Sequence, residues 1–220
     1  MDLMSSLKSL LPTYETILPF SKQKVIFRPF KVKDAKSISV ILQEENKKLA
    51  LISLVELLKN NTENVNIMNL CMADAEFLFL QIRSKSVDEQ LNLIYNQEKI
   101  QVYIPDIKHR NEISSDTVTL TNSVFITLET PTIKDLLKLD TLDKEDFLKA
   151  CIKKVNVGGE VFHVNKFISE DIKTILDNLP LNILPKFEEF MKTQPELFVV
   201  LETKDGDKEV NGLLRFFTFR

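Results

Sequence analysis

The spacing of apolar residues changes twice along this chain. Apolar side chains recur three and four positions apart between residues 33 and 85, alternate between residues 91 and 129, and return to helical spacing after Pro131. The first spacing is typical of amphipathic helices and the second of half-buried strands. Blocks in this order predict an α+β fold, with an N-terminal strand plus helices, a small central antiparallel sheet, C-terminal helices and a terminal hairpin.

The individual helices and strands follow from the same patterns. A strand is predicted at 24–30, followed by helices from residue 33 and at 48–59 and 72–84. Two central hairpins are predicted to pair 91–95 with 99–104 and 117–120 with 124–128. Later helices are predicted at 131–139 (with Thr130 as N-cap), 142–154, 169–178 and 184–192. The Asp205-Gly206 turn predicts a last hairpin between 197–203 and 208–210.

Three regions are expected along the chain. Residues 1–23 are interpreted as an N-terminal arm, because Pro12 and Pro19 prevent a long helix there. Residues 24–130 form a strand-helix region with the central antiparallel sheet. Residues 131–220 form a mainly helical C-terminal region that ends in a hairpin and an apolar tail.

Charge and composition narrow the classes of partner. The formal net charge is −3 and no segment is a basic run, so we expect no nucleic-acid partner, since phosphate binding relies on clustered Lys and Arg. No signal-peptide pattern opens the chain, and its apolar runs are shorter than the ~18 residues of a membrane span. We therefore expect a soluble protein with no membrane partner. The 15 Phe and absence of Trp suit cores and dry interfaces.

The residues most often used in catalysis are sparse. The two histidines, His109 in a polar loop and His163 on a strand or turn, have no Cys or His at metal-ligand spacing. The Gly158-Gly159 pair lacks the further glycines of a phosphate-binding loop and indicates a turn. We therefore expect no catalytic, cofactor-binding or metal-binding residue, no cofactor and no small-molecule substrate.

The cysteines and acidic clusters have simpler interpretations. Cys71 and Cys151 lie in apolar, helix-like stretches, which indicates buried free thiols and synthesis in a reducing compartment. Several acidic residues fall on predicted helices among lysines and are expected to form solvated faces: Asp143, Glu145, Asp146, Glu188 and Glu189.

Four segments carry a resemblance to a known family. They are Lys-Val-Ile-Phe-Arg-Pro-Phe-Lys-Val-Lys-Asp at 24–34, Glu-Phe-Leu-Phe-Leu-Gln-Ile-Arg-Ser-Lys-Ser at 76–86, Asn-Leu-Pro-Leu at 178–181 and Gly-Leu-Leu-Arg-Phe-Phe at 212–217. In this order they resemble motifs of the T4-like bacteriophage baseplate hub assembly proteins. The resemblance runs from about residue 24 to the end of the chain.

The resemblance implies a non-enzymatic protein that helps to build the central hub of the baseplate through protein–protein contacts. Its implied partners are other phage baseplate hub or tail proteins, and it implies the host cell cytoplasm during assembly. Whether the chain remains in the virion tail baseplate is left open. The first 85 residues are also similar to phage tail assembly chaperones, so a chaperone for tape-measure or hub proteins is the alternative.

The apolar tail is the candidate site of partner contact. Between residues 213 and 220 the only charges are Arg215 and Arg220. The candidate contact residues are Leu213, Leu214, Phe216, Phe217 and Phe219. In the alternative interpretation, the tail is an internal strand or helix that covers the core.

Overall fold

The computed structural model describes residues 12–43, 45–95, 98–142, 144–164, 174, 178, 183–204 and 206–211. The chain divides into two compact units: unit 1 comprises Met1–Arg110 and Glu196–Arg220, and unit 2 comprises Asn111–Pro195. The boundary drawn at residue 130 from the sequence therefore lies inside unit 2. Helices and small antiparallel sheets occur together, so the predicted α+β class is confirmed.

Unit 1 begins with a three-stranded antiparallel sheet. Its strands, in the order β1-β2-β3, are β1 (Tyr14–Ile17), β2 (Lys24–Phe27) and β3 (Thr62–Glu63). β2 confirms the predicted strand and ends before Pro29, which has no N–H to donate to a ladder. β1 falls within the stretch interpreted as an arm, where the Tyr14 ring stacks on Phe27 with centroids 5.7 Å apart.

The three helices predicted in the first half are confirmed. They are α1 (Ala35–Gln43), α2 (Lys47–Asn61) and α3 (Met72–Ser86). Asn46 caps α2, because its side chain accepts hydrogen bonds from the N–H groups of Lys48 and Leu49. α3 is buried around most of its circumference, at Ala73, Asp74, Ala75, Glu76, Leu78, Phe79, Leu80, Ile82 and Ser84. A helix buried on this many sides lies inside its unit.

Three further strands of unit 1 follow α3. β4 (Gln90–Tyr95) and β5 (Glu98–Tyr103) form a two-stranded antiparallel sheet, which confirms the first predicted hairpin. Leu91 and Val102 are opposite each other in this register, and both are buried. The third strand is β6 (Lys108–Arg110).

Unit 2 is a four-stranded antiparallel sheet with helices. Its elements are β7 (Ser115–Thr121), β8 (Val124–Glu129), α4 (Ile133–Leu136), α5 (Lys144–Cys151), β9 (Ile152–Val157), β10 (Glu160–His163) and α6 (Leu184–Lys192). The strand order is β10-β9-β8-β7. The core of unit 2 comprises Val118, Ile126, Leu128, Cys151, Ile152, Val155, Val164, Ile183, Phe187 and Phe190.

The central sheet differs from the sequence prediction in its extent. The two hairpins between residues 91 and 129 were expected in one sheet, but β4–β5 belongs to unit 1 and β7–β8 to unit 2. The second hairpin instead pairs through β8 with β9. Local alternation identifies a hairpin, but the neighbour of each hairpin depends on distant residues.

Two helix boundaries are corrected. The helix predicted at 142–154 ends at Cys151, because Ile152 starts β9 opposite Leu128 and buries its β-branched side chain there. The N-cap of α4 is Thr132 and not Thr130, since the Thr132 N–H and Oγ1 donate to Asp135 Oδ2 at 3.0 and 2.7 Å. The helix predicted at 169–178 lies outside the described residues except for 174 and 178.

The predicted terminal hairpin is confirmed and completes unit 1. It consists of β11 (Glu196–Thr203) and β12 (Gly206–Asn211), in a sheet of order β12-β11-β6. Gly206 has a φ of 95° at the turn, a conformation that favours glycine. The hairpin therefore belongs to the same unit as residues 1–110.

One arginine joins the three strands of this last sheet. Arg110 Nη2 on β6 lies 2.6 Å from Glu196 Oε2 on β11 and 2.8 Å from Glu209 Oε1 on β12. Its guanidinium carbon is 4.9 Å from the centroid of the Phe198 ring. Hydrogen bonds to Glu196 and Glu209 raise the pKa of Arg110 above its ordinary value. The side chain thus ties together strands that are far apart in the sequence.

The first residue of unit 2 is bonded to the last turn of the same unit. Asn111 has a φ of 62°, and its Nδ2 donates to the carbonyl oxygens of Lys192 at 3.0 Å and Gln194 at 2.8 Å. In unit 1, Arg110 and Glu196 are opposite each other in the β6–β11 register. The chain therefore leaves unit 1 and returns to it at paired positions.

Candidate interaction surface

The two N-terminal segments that carry the resemblance contact each other in unit 1. The Phe30 ring lies 5.4 Å, centroid to centroid, from the ring of Phe79, which is 0% exposed. The Phe30 N–H donates to Ser86 Oγ at 2.8 Å, and that hydroxyl donates to the carbonyl oxygen of Ile82 on α3. Phe27 of the first segment is also fully buried. Apolar residues of both segments, among them Val25, Phe27, Phe79 and Ile82, therefore form part of the core.

A 3₁₀ turn, Val32–Asp34, follows the Phe30 contact and has a buried polar base. Asp34 is 5% exposed, and its Oδ2 accepts hydrogen bonds from the Lys31 N–H at 2.8 Å and from Asn61 Nδ2 at 3.3 Å. Asn61 Nδ2 also donates to the carbonyl oxygen of Leu57 on α2. The turn is therefore held by Asn61 of α2 as well as by its own backbone.

The tip of that turn is Val32, whose exposed fraction is 95%. A second exposed apolar residue, Val87 at 72%, directly follows Ser86. Val32 follows Phe30 by two residues and Val87 follows Ser86 by one, so both valines belong to the segments that this hydrogen bond joins. We call the set of Lys31, Val32, Lys33, Lys36 and Val87 the Val32 surface.

The Val32 surface is basic. Residues 31–36 contain three lysines, and Lys33 and Lys36 are exposed. The single acid of this stretch, Asp34, is turned inward to the hydrogen bonds at the base of the turn. On the other side, Lys85 pairs with Glu89 at 2.8 Å, so that segment adds little net charge.

A second buried carboxylate fixes the loop between β1 and β2. Asp74, in the first turn of α3, is 0% exposed, and its two oxygens accept hydrogen bonds from the N–H groups of Phe20 at 3.0 Å and Ser21 at 2.8 Å. Burial, with a further contribution from Asp74, raises the pKa of the neighbouring Cys71 thiol to about 12. Cys71 is therefore an unreactive thiol at neutral pH.

The histidines and cysteines that the sequence analysis considered are not brought together. His109 lies in unit 1 with its ring edge-on to Phe20, centroids 5.7 Å apart, and His163 lies exposed on β10 of unit 2. Cys71 and Cys151 are buried and unpaired, as predicted. Within the described ranges, no three His, Cys, Asp or Glu side chains are grouped so that they could hold a metal ion.

The predicted glycine turn and the two glutamates expected on a helix face are present in the structure, whereas the apolar tail lies outside the described residues. Gly158 and Gly159 form the turn between β9 and β10 with φ values of 61° and 92°, as predicted. Glu188 and Glu189 are exposed on α6, as expected. The candidate contact residues Leu213, Leu214, Phe216, Phe217 and Phe219 lie outside the described residues, as do Asp143 and the Glu145 side chain.

Asp146 is a correction, because it is buried instead of lying on a solvated helix face. Its Oδ2 accepts the N–H and Oγ1–H of Thr141, at 2.9 and 2.5 Å, and its Oδ1 pairs with Lys149 Nζ at 2.8 Å. Burial would raise the pKa of Asp146, but these bonds hold it below the ordinary value. The pKa of Asp135 is likewise lowered, against the effect of burial, by Lys153 and Thr132.

These two carboxylates make the stability of unit 2 sensitive to acid. The pKa values of Asp135 and Asp146 in the folded protein lie below the ordinary 3.8. The two carboxylates therefore stabilise the folded state at pH values above 3.8, and this stabilisation is lost as the pH falls through their folded-state pKa values. Because these bonds are lost, we expect the free energy of unfolding to fall by about 1–3 kcal/mol between about pH 5 and pH 2.5. Thermal melts at a series of pH values measure this fall. The Asp135→Asn, Asp146→Asn double variant should lose less over the same interval, and an equal loss would contradict this assignment.

The family model described as T4 bacteriophage base plate protein matches residues 11–218. The chain belongs to this family. The match covers nearly the whole chain, so it includes β1–β12 and both units of this base plate protein. No curated protein and no solved structure matches the chain. Among the described helices of this base plate family member, none is long and apolar enough to cross a membrane.

The Val32 surface was not predicted from the sequence, although most of it lies in or beside a segment that carries the resemblance. Val32 is part of the first resemblance motif, and that motif does not distinguish this exposed valine from the buried Phe27. The isolated Val between two lysines was the available signal. Its exposure depends on the turn that Asp34 and Asn61 hold, and this involves residues 27 positions apart.

Proposed function

We propose that this chain is a non-enzymatic assembly protein of the baseplate hub, which works through contacts with other phage baseplate hub or tail proteins. Membership of the base plate family over residues 11–218 is the observation that carries this proposal. The host cell cytoplasm is the proposed place of action, since hub assembly precedes completion of the virion. No nucleic acid, membrane, cofactor or small-molecule substrate takes part.

The polar clusters of the described residues support this proposal. Asp34, Asp74 and Arg110 each join separate segments of the chain through several bonds, and Asp146 binds Thr141 and Lys149 at the start of α5. Such groups are typical of structural networks, in which buried polar atoms form hydrogen bonds that stabilise the fold. In the proposed role, these groups stabilise the fold and surface contacts provide the activity.

Co-expression tests the proposal. The full chain, carrying an affinity tag, is produced together with the other baseplate hub proteins of the same phage and purified, and the complex is identified by mass spectrometry. We expect one hub protein to co-purify in fixed stoichiometry. A chain that purifies alone in all combinations overturns the proposal. Recovery of the chain with unassembled hub or tape-measure protein, but not in purified tails, identifies the chaperone alternative.

The apolar tail remains our proposed contact within this function. We expect deletion of residues 213–220 to abolish recovery of the hub partner while changing the melting temperature by only a few degrees. Each of the five large apolar side chains contributes roughly 1.5–3 kcal/mol when buried. Their deletion should therefore weaken binding if they pack on a partner, and folding if they pack on the chain's own core. The Phe216→Ser, Phe217→Ser variant keeps residues 213–220 and removes only two apolar side chains, so it separates the effect of these side chains from the effect of shortening the chain. A truncated protein that melts far lower or is insoluble assigns the tail to the core and contradicts the prediction.

A further inference from the structure

Val32 and Val87 are the most exposed large apolar side chains in the described part of the chain, at 95% and 72%. Single exposed apolar residues are common on protein surfaces. Here, however, both follow closely on the partners of one hydrogen bond, between the Phe30 N–H and Ser86 Oγ, and both stand in or beside segments whose other apolar residues are buried or half-buried. Phe27 and Phe79 are buried in the core, whereas Val32 lies outside it.

The turn that presents Val32 is fixed before any partner binds. A buried carboxylate, Asp34, is satisfied by the Lys31 N–H and by Asn61 Nδ2, which is itself anchored to α2. A preorganised backbone reduces the entropy that is lost on association. The hydrogen bonds of Asp34 and Asn61 hold the turn in a conformation that exposes Val32 to water, although exposing an apolar side chain is unfavourable. A valine that is held in this way has the properties of a binding contact.

Charge indicates the chemistry of the partner. Lys31, Lys33 and Lys36 surround Val32, whereas the whole chain has a formal net charge of −3. Such a local basic patch attracts carboxylates and discourages association between two copies of the patch. An apolar centre without an exposed aromatic ring favours a protein segment over a nucleic acid, whose bases bind by stacking on aromatic side chains.

We propose that the Val32 surface docks an acidic segment of another baseplate protein. An apolar side chain of that segment covers Val32 and Val87, and its flanking carboxylates pair with Lys33 and Lys36. The inference rests on the proposed function, because it identifies the chemistry of one contact through which the hub is built.

Site-specific cross-linking locates the occupant. A photoreactive amino acid replaces Val32 in the full chain, which is irradiated in cells that also produce the phage's baseplate proteins; the matched control carries it at Val161, a half-exposed valine of β10. We expect a position-32 cross-link to a baseplate protein at an apolar residue with Asp or Glu within a few positions. Cross-links to residues 1–11 or 212–220 of the same chain, to a second copy, or to nucleic acid overturn the proposal.

Charge reversal then tests the contact with a defined partner, the baseplate protein identified by the cross-link. Because Lys33, Lys36 and Val32 are exposed, their substitution leaves folding intact, which circular dichroism verifies. We expect Lys33→Glu, Lys36→Glu and, separately, Val32→Asp to weaken binding at least about tenfold. Changing the partner's carboxylates to lysine should restore binding to the Lys33→Glu, Lys36→Glu variant. Lys59→Glu, an exposed position on α2, is the control and should have little effect.

The two proposals fail in different ways. If the unmodified chain recovers the hub partner and the Val32→Asp variant recovers it equally, the docking surface is wrong and the proposed function stands. If the unmodified chain recovers no baseplate protein, the proposed function fails and the docking surface fails with it.

Discussion

Replacing Asp74 by alanine is expected to lower the free energy of unfolding of unit 1 by about 2–5 kcal/mol. The carboxylate is 0% exposed and accepts the Phe20 and Ser21 N–H groups, so its loss leaves two backbone donors without their acceptor. A buried donor that loses its partner costs about 1–3 kcal/mol. Asp74 is also the acid in the first turn of α3, which adds a few tenths to 1 kcal/mol.

Chemical denaturation followed by circular dichroism measures the loss, and hydrogen exchange with mass spectrometry assigns it to residues 14–27 and to α3. Asp207→Ala is the matched control, because Asp207 is exposed on β12. The control should change stability by less than about 0.5 kcal/mol. If Asp74→Ala and Asp207→Ala are equally stable, the loop between β1 and β2 does not depend on this carboxylate.

Phe79→Ala is the second substitution with a large expected effect, a loss of about 3–5 kcal/mol. Phe79 is 0% exposed on α3 and contacts the Phe30 ring, so truncation removes a large apolar volume and leaves a cavity. The exchange of the Phe30 amide hydrogen should also accelerate, because its hydrogen bond to Ser86 Oγ lies beside the cavity.

Phe77→Ala on the same helix provides the comparison, since Phe77 is only half-buried and the change in helix propensity is identical. We expect it to cost less than half as much in the same denaturation experiment. Equal losses for the two phenylalanines would mean that the contact between Phe30 and Phe79 adds nothing to general apolar burial, and would contradict this description of the core.

The helices of unit 1 could be predicted because their information is local. Leu51, Val55 and Leu58 repeat at helical spacing, and α2 begins and ends within two residues of the predicted limits. The strand at β2 and the final hairpin were predictable for the same reason: alternation in one and an Asp-Gly turn in the other are short-range signals.

The features that were missed depend on residues far apart in the chain. Helix-favouring Lys153 and Lys154 extended the helix predicted at 142–154, but pairing with β8 makes them part of β9. The contact of β6 with β11 joins residues 86 positions apart and has no local pattern. Asp74 was interpretable as a helix N-terminal acid, whereas its role in holding the loop between β1 and β2 needed the structure.

The base plate family could be inferred from the sequence. Two of the segments that carry the resemblance contain the residues that pack Phe30 against α3. The same motifs did not identify the contact surface. A motif records that Val32 is a valine, but only the structure distinguishes the buried phenylalanines from the exposed valine in one short segment.

The pairing of Arg110 with Glu196 has a consequence for how such a chain can change over time. Since unit 1 is closed by β6 and β11 at the points where the chain departs and returns, the intervening 111–195 segment resembles a cassette inserted into a loop. Asn111, bonded to Lys192 and Gln194, closes the cassette at its own ends. When phages exchange genes, this segment can therefore be replaced, lengthened or shortened while the β6–β11–β12 sheet of unit 1 stays the same.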